Sequence, residues 1–138
     1  MRNQLSVLLR DWGLEIEETF GPSNDSESMD YPDVARDLCH ALLESVDSKV
    51  PALGLLVCGT GQGMAITANK IAGIRAGVVG DPFSARMIRE HNNANVICLG
   101  QRVLGTELAG LILRSFVESE FTEGRHIARV NKISELED

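Results

Sequence analysis

The sequence has 138 residues, 43% of them hydrophobic and 24% charged, with a formal net charge of −7. These proportions fit a single soluble domain over 1–138, long enough to bury about two-thirds of the surface its unfolded chain exposes. The acidic balance argues against nucleic acid as a partner, and no apolar run reaches the roughly 20 residues of a membrane span.

Leu5, Leu8, Leu9 and Trp12 repeat at the spacing of an amphipathic helix over 2–12, closed by Gly13. Leu14, Ile16, Thr19 and Phe20 alternate with Glu15 and Glu17, which predicts a short strand. The segment GPSNDSESMDYPD reads as a polar, turn-rich loop. Asp30 or Tyr31 opens the next helix with Pro32 in its first turn, and Val34, Leu38, Ala41, Leu42 and Val46 carry it to about residue 47. A linker of Lys49, Val50 and Pro51 leads to the apolar strand Leu55, Leu56, Val57. A turn spaced by Gly59, Gly61 and Gly63 comes next, then a helix through Met64, Ala65, Ile66, Ala68 and Ile71. Ile74 to Val79 predicts another strand. Asp81 and Pro82 cap and start a helix from Phe83 to about His91. Val96 to Leu99 gives a last strand. A strongly apolar helix spans about 105–119, and Glu123 opens a final one with Ile127, Val130 and Ile133 on its apolar side.

Alternating strands and helices define an α/β class, a Rossmann-like doubly wound parallel sheet with helices on both faces. Ligands in such sheets bind at the carboxyl ends of the strands, where Cys58, Gly80–Asp81 and Gly100 fall. Domains of this kind normally open with a strand. This chain opens inside a helix, with no apolar strand ahead of Leu5, so the first strand is expected to be missing from it.

The three cysteines show no metal-ligand or C-x-x-C spacing, which points to a reduced, cytoplasmic protein without structural zinc. The N-terminus lacks the basic-then-apolar pattern of an export signal. Cys39 and Cys98 read as small buried hydrophobes. Cys58 differs, because a thiol beside a glycine turn and a helix N-terminus has its thiolate favoured and becomes a usable base or nucleophile. The turn C-G-T-G-Q-G lacks the Lys-Ser/Thr of a nucleotide loop and departs from the dinucleotide spacing, so it suits a small oxyanion. His91, in REHNNANV, ends a helix and is read as lying on the same rim as Cys58, where it would serve as a general acid or base. The asparagines around it either bind a ligand or cap the helix. Arg125 and Arg129, one helical turn apart, share a face. They form either a solvated basic stripe or a phosphate clamp, with His126 and Lys132 as bystanders. Glu15, Glu17 and Glu18 read as a solvated edge.

With these residues assembled, the chain resembles the ribose-5-phosphate isomerase B family, which includes galactose-6-phosphate isomerase subunits. The matching segments are DYPD (30–33), LLVCGTGQGM (55–64), ANKIAGIR (68–75), SARM (84–87), EHNNANV (90–96), LGQRVLG (99–105) and EGRHIARV (123–130). The resemblance implies an aldose–ketose isomerase acting on ribose 5-phosphate and ribulose 5-phosphate through an enediolate, without metal or cofactor. Cys58 would be the base, with Gly59, Thr60, Gly61, Gln62 and Gly63 holding the developing oxyanion. His91 would open the furanose ring, Asn92 and Tyr31 would bind the sugar, and Arg102, Arg125 and Arg129 the phosphate. The family also implies a homodimer or tetramer with an active site shared between subunits, so that Cys58 and His91 meet across an interface. The C-terminal helix would then contact a partner.

The chain departs from the family pattern in lacking the opening strand that ends in Asp-His-Ala-Gly. Loss of an inner strand would expose unpaired ladder edges, which favours a shortened record over a natural short form. Gln62 stands where an aliphatic residue is usual. Two alternatives remain open: an isomerase of a hexose 6-phosphate (allose or galactose 6-phosphate), or a catalytically inactive sugar-phosphate-binding homologue. A thiol redox protein is disfavoured, since no resolving cysteine lies near Cys58 in sequence.

Overall fold

The computed structural model describes residues 1–24, 26–45 and 50–137. Six α-helices and three strands run in the order α1 (Arg2–Asp11), α2 (Tyr31–Glu44), β1 (Gly54–Cys58), α3 (Gln62–Ala68), β2 (Ala76–Val78), α4 (Pro82–Asn92), β3 (Val96–Gly100), α5 (Thr106–Val117) and α6 (Arg125–Ser134). A 3-10 turn, Glu135–Glu137, closes the described chain. The expected extension of α2 over Val46 and residue 47, and Lys49 of the linker, lie outside the described residues.

The sheet is parallel with strand order β1-β3-β2, its register running Gly54↔Val96 to Cys58↔Gly100 on one side and Ala76↔Val96 to Val78↔Cys98 on the other. β3 is central and buried at every position, as a strand covered on both faces must be. Alternate residues feed two separate cores. Ile97 and Leu99 face α1, α4 and α5, where Leu5, Ala85, Ile112, Leu113 and Phe116 pack. Val96, Cys98 and Leu56 face α2 and α3, where Val34, Ala35, Cys39, Met64 and Ala68 pack. The doubly wound arrangement expected from the sequence is therefore present, on a sheet of three strands.

One expected strand does not form. Leu14 to Phe20 belongs to no ladder, although its alternation suits a strand. Alternation supplies a face to bury, but a strand also needs a neighbour for its N–H and C=O groups. Here the segment is fastened only near its ends, by Leu14 N–H donating to Leu9 O at 3.0 Å and by Arg2 Nη1 donating to Phe20 O at 3.1 Å. Leu14 is 40% exposed, and Glu15, Glu17 and Glu18 face solvent.

The caps agree closely with the sequence. Gly13 adopts φ +79° and ends α1. Asp81 caps α4 by accepting from Ser84 N at 2.7 Å, with Pro82 in the first turn. β2 is shorter than Ile74–Val79, and its start is held by Asn69. That side chain donates to Ala76 O and accepts from Ala76 N, both at 2.8 Å.

Candidate active site

Cys58 ends β1 at the carboxyl edge of the sheet, half-buried. Its Sγ accepts the Gly61 N–H at 3.1 Å. The chain doubles back because Gly61 takes φ +82°, and a Cβ there would come within 3.2 Å of the Leu99 carbonyl carbon. Glycine is required at both levels, for the left-handed turn and for the approach to β3. Gly100 completes the fit, since its own Cβ would lie 2.7 Å from the Thr60 carbonyl carbon. Two backbone bonds fasten the turn to the segment that leaves β3: Gln101 N–H donates to Cys58 O at 2.8 Å and Arg102 N–H to Gly59 O at 3.0 Å.

The side chains around this turn include several that the sequence singled out. Arg102 passes beside Gly59, its Cδ 3.5 Å from where a Cβ would stand, and Tyr31 from the start of α2 lies against Gly63. Thr60 and Gln62 are exposed on the rim, with the Thr60 hydroxyl 3.4 Å from the Gln62 N–H. Cys58 is thus the one partly accessible thiol among the described residues. Cys39 and Cys98 are fully buried, and burial pushes their thiols up to about 11 and about 12, as expected of core cysteines.

His91 and Asn92 occupy the last turn of α4, and here the expectation from sequence is corrected. They are not on the rim that carries Cys58. A helix that comes after a parallel strand starts at the sheet's carboxyl edge and returns to the amino edge, where the next strand begins. Asn95, just past α4, accepts from Gly54 N at 2.8 Å, level with the start of β1. Cys58 lies at the far end of that strand, about 13 Å away at ~3.3 Å per residue.

A second cluster forms at the amino edge. The His91 ring stacks on His126, centroids 4.1 Å apart and planes 13° from parallel. His126 opens α6 beside Arg125 and Arg129. Desolvation and then the positive charges of His91, Arg125 and Arg129 disfavour its protonated form. His126 touches His91 directly. No sequence pattern links residues 91 and 126; only the packing of α6 on α4 does. A single chain thus carries two separate groups of side chains: thiol, glycine turn, Tyr31 and Arg102 at one edge, and two imidazoles, Asn92, Arg125 and Arg129 at the other.

Among the described residues, no three His, Cys, Asp or Glu side chains gather where they would hold a metal ion. No described helix is long and apolar enough to cross a membrane.

A parallel α/β domain with a half-buried thiol and a glycine turn at its carboxyl edge has the layout of proteins that bind small molecules where the strands end. Residues 1–133 match the model of the Ribose/Galactose Isomerase family, and the chain belongs to that family. Its place is thus among the sugar-phosphate isomerases. The D-erythrulose-4-phosphate isomerase of Pectobacterium atrosepticum is 40% identical over 138 residues, 99% of this chain and 87% of that protein. The ribose-5-phosphate isomerase B of Escherichia coli is 43% identical over 113 residues, 81% of this chain and 72% of that protein. The structure of the Mycoplasma genitalium ribose-5-phosphate isomerase B with bound ribulose-5-phosphate superposes with a TM-score of 0.89 at 32% identity, covering 98% of this chain and 86% of that one.

Proposed function

We propose that this chain interconverts ribose 5-phosphate and ribulose 5-phosphate through an enediolate, with Cys58 as the proton-transfer base. The observation that carries this reading is the Gly61 N–H to Cys58 Sγ contact of 3.1 Å. That contact holds the sulfur beside the glycine turn, where the proposed base must stand next to its oxyanion donors. In the open-chain aldose, the thiolate takes the proton on C2 and the electron pair moves into the C1–C2 bond, placing negative charge on O1. Backbone N–H groups of the turn 59–63 and the Thr60 hydroxyl would receive that oxygen, where fixed dipoles are most effective. The proton returns from the Cys58 thiol to C1 and the O2 proton passes to O1, leaving a C2 ketone, a C1 hydroxyl and the thiolate.

His91 would open the furanose ring by moving a proton between the ring oxygen and the anomeric hydroxyl. Asn92 and Tyr31 would bind sugar oxygens. Arg125, Arg129 and Arg102 would hold the phosphate, which guanidinium groups match by planar paired donors. The two groups of side chains lie at opposite edges of one sheet, so the working site would form between two copies in a homodimer or tetramer. No cofactor is required by this chemistry.

Cys58→Ala should lower the isomerase rate by about a thousandfold with substrate binding retained. An unchanged rate would refute the mechanism. The Pectobacterium relative favours a second reading, a four-carbon 4-phosphate as substrate; a hexose 6-phosphate is the third. Rates on four-, five- and six-carbon substrates separate the three, and phosphosugar binding without turnover on any would mark an inactive homologue.

A further inference from the structure

Arg75 and Arg89, neither with a carboxylate within 4 Å among the described residues, converge on the same turn. Arg89 is only 6% exposed, its Nε has no hydrogen-bond partner, and its guanidinium stands 6.0 Å over the Phe116 ring. Arg75 is half-buried at the approach to β2. An arginine so placed needs a compensating field, since removing a cation from water is costly.

Glu137 favours the Arg75 charge and Glu120 that of Arg89 from beyond ion-pair distance, and the direct contacts come from the end of α4. Arg89 Nη1 donates to Asn93 Oδ1 and to Ala94 O, both at 2.8 Å. Arg75 Nε donates to Asn92 O at 3.1 Å and Asn93 O at 3.0 Å. From the other side Thr122 donates to Glu90 O twice, from its N–H at 3.0 Å and its hydroxyl at 2.9 Å. Asn93 itself adopts φ +48° and ψ +42° as the left-handed cap, its N–H on Arg89 O and that of Ala94 on Ile88 O. Helix ends leave carbonyls unpaired and partly negative, so buried cations there are favourable and hold the terminal turn in one geometry.

We infer that Arg89, assisted by Arg75, is a positioning residue: it locks the α4 terminal turn so that His91 and Asn92 are presented in a single orientation. The clamp stands on geometry alone. Its effect on turnover rests on the isomerase reading above. Arg89 touches neither His91's ring nor any proposed substrate contact, and it acts through the backbone that carries them.

The test compares Arg89→Met, which keeps the volume and removes the donors, with Arg89→Lys and with Asn93→Gly, which keeps the left-handed turn and deletes one acceptor. Alkylation counted by mass reports the fold, because Cys39 and Cys98 stay unreactive while the core is intact. In Arg89→Met, amide hydrogen exchange over residues 90–95 should accelerate about tenfold or more and the His91 ring resonances should move. On ribose 5-phosphate kcat should fall about tenfold with KM within about threefold of wild type, and Arg89→Lys should recover part of the loss. Asn93→Gly should shift the same observables in the same direction, by less. Exchange and His91 resonances superimposable on wild type would overturn the clamp. So would reactive Cys39 and Cys98 in both Arg89→Met and Asn93→Gly, since the network would then serve the fold as a whole. If exchange accelerates but the wild-type protein does not turn over ribose 5-phosphate, the clamp stands and the substrate reading is what fails.

Discussion

Three cysteines of one type behave in two ways, and the difference is solvent. Cys39 and Cys98 are fully buried and resist ionisation, with pKa values raised to about 11 and about 12, while Cys58 receives a backbone N–H at a partly open rim. The raised values have a stability consequence. Below pH 9 both states keep these protons and burial has no ionic cost. As pH rises above about 9, the unfolded chain releases protons that the folded one retains, so stability is lost by about 1.4 kcal/mol per pH unit per thiol, up to about 11 for Cys39 and about 12 for Cys98. Urea midpoints at pH 8 and pH ~10.5 should show this decline, and Cys98→Val should flatten it. At this scale the sequence was a good guide. Cys39 and Cys98 read as core because a free cysteine is most often a small buried hydrophobe, and Cys58 was set apart by the glycines after it. His126 was not legible, because its significance is a ring contact with a residue 35 positions away in sequence.

At the scale of elements, periodicity found every helix and located the three strands that form, within a few residues at their ends. It failed at Leu14–Phe20, where alternation was present and a ladder partner was not. The opposite device operates at β2, a three-residue edge strand whose outer groups are satisfied by a side chain. Asn69 offers a donor and an acceptor to the backbone of Ala76, standing in for a neighbouring strand. Asn69→Ala should lower stability by about 1–2 kcal/mol by leaving both backbone groups unpaired, and Asn69→Asp, which keeps only the acceptor, should fall between. Chemical denaturation of the three proteins measures it. Equal midpoints would mean that water replaces the amide without loss.

For the whole molecule, the direction of α4 decides what one chain can do. Because α4 returns to the amino edge, His91, Asn92, Arg125 and Arg129 stand a sheet's length from Cys58, and under the proposed function one copy would offer two incomplete half-sites. A shared site predicts complementation. Cys58→Ala and His91→Ala would each be inactive on ribose 5-phosphate alone, yet co-refolded at equal amounts they should recover about a quarter of the wild-type rate. Random pairing makes about half the dimers hybrid, each with one intact site of two. Absence of any recovery, with subunit exchange verified by mass, would show that the site lies within one chain.

The chain by itself determined the class of fold, the thiol and its glycine turn, and the family, because these are written in short-range spacing: from β1 to α5, strand, turn and helix succeed one another through short connections. Which edge of the sheet each group reaches, which imidazole stacks on which, and which buried arginines hold the end of α4 were decided only in three dimensions. Those relations arise where segments distant in sequence are packed together, and local periodicity carries no information about the partner a segment will meet.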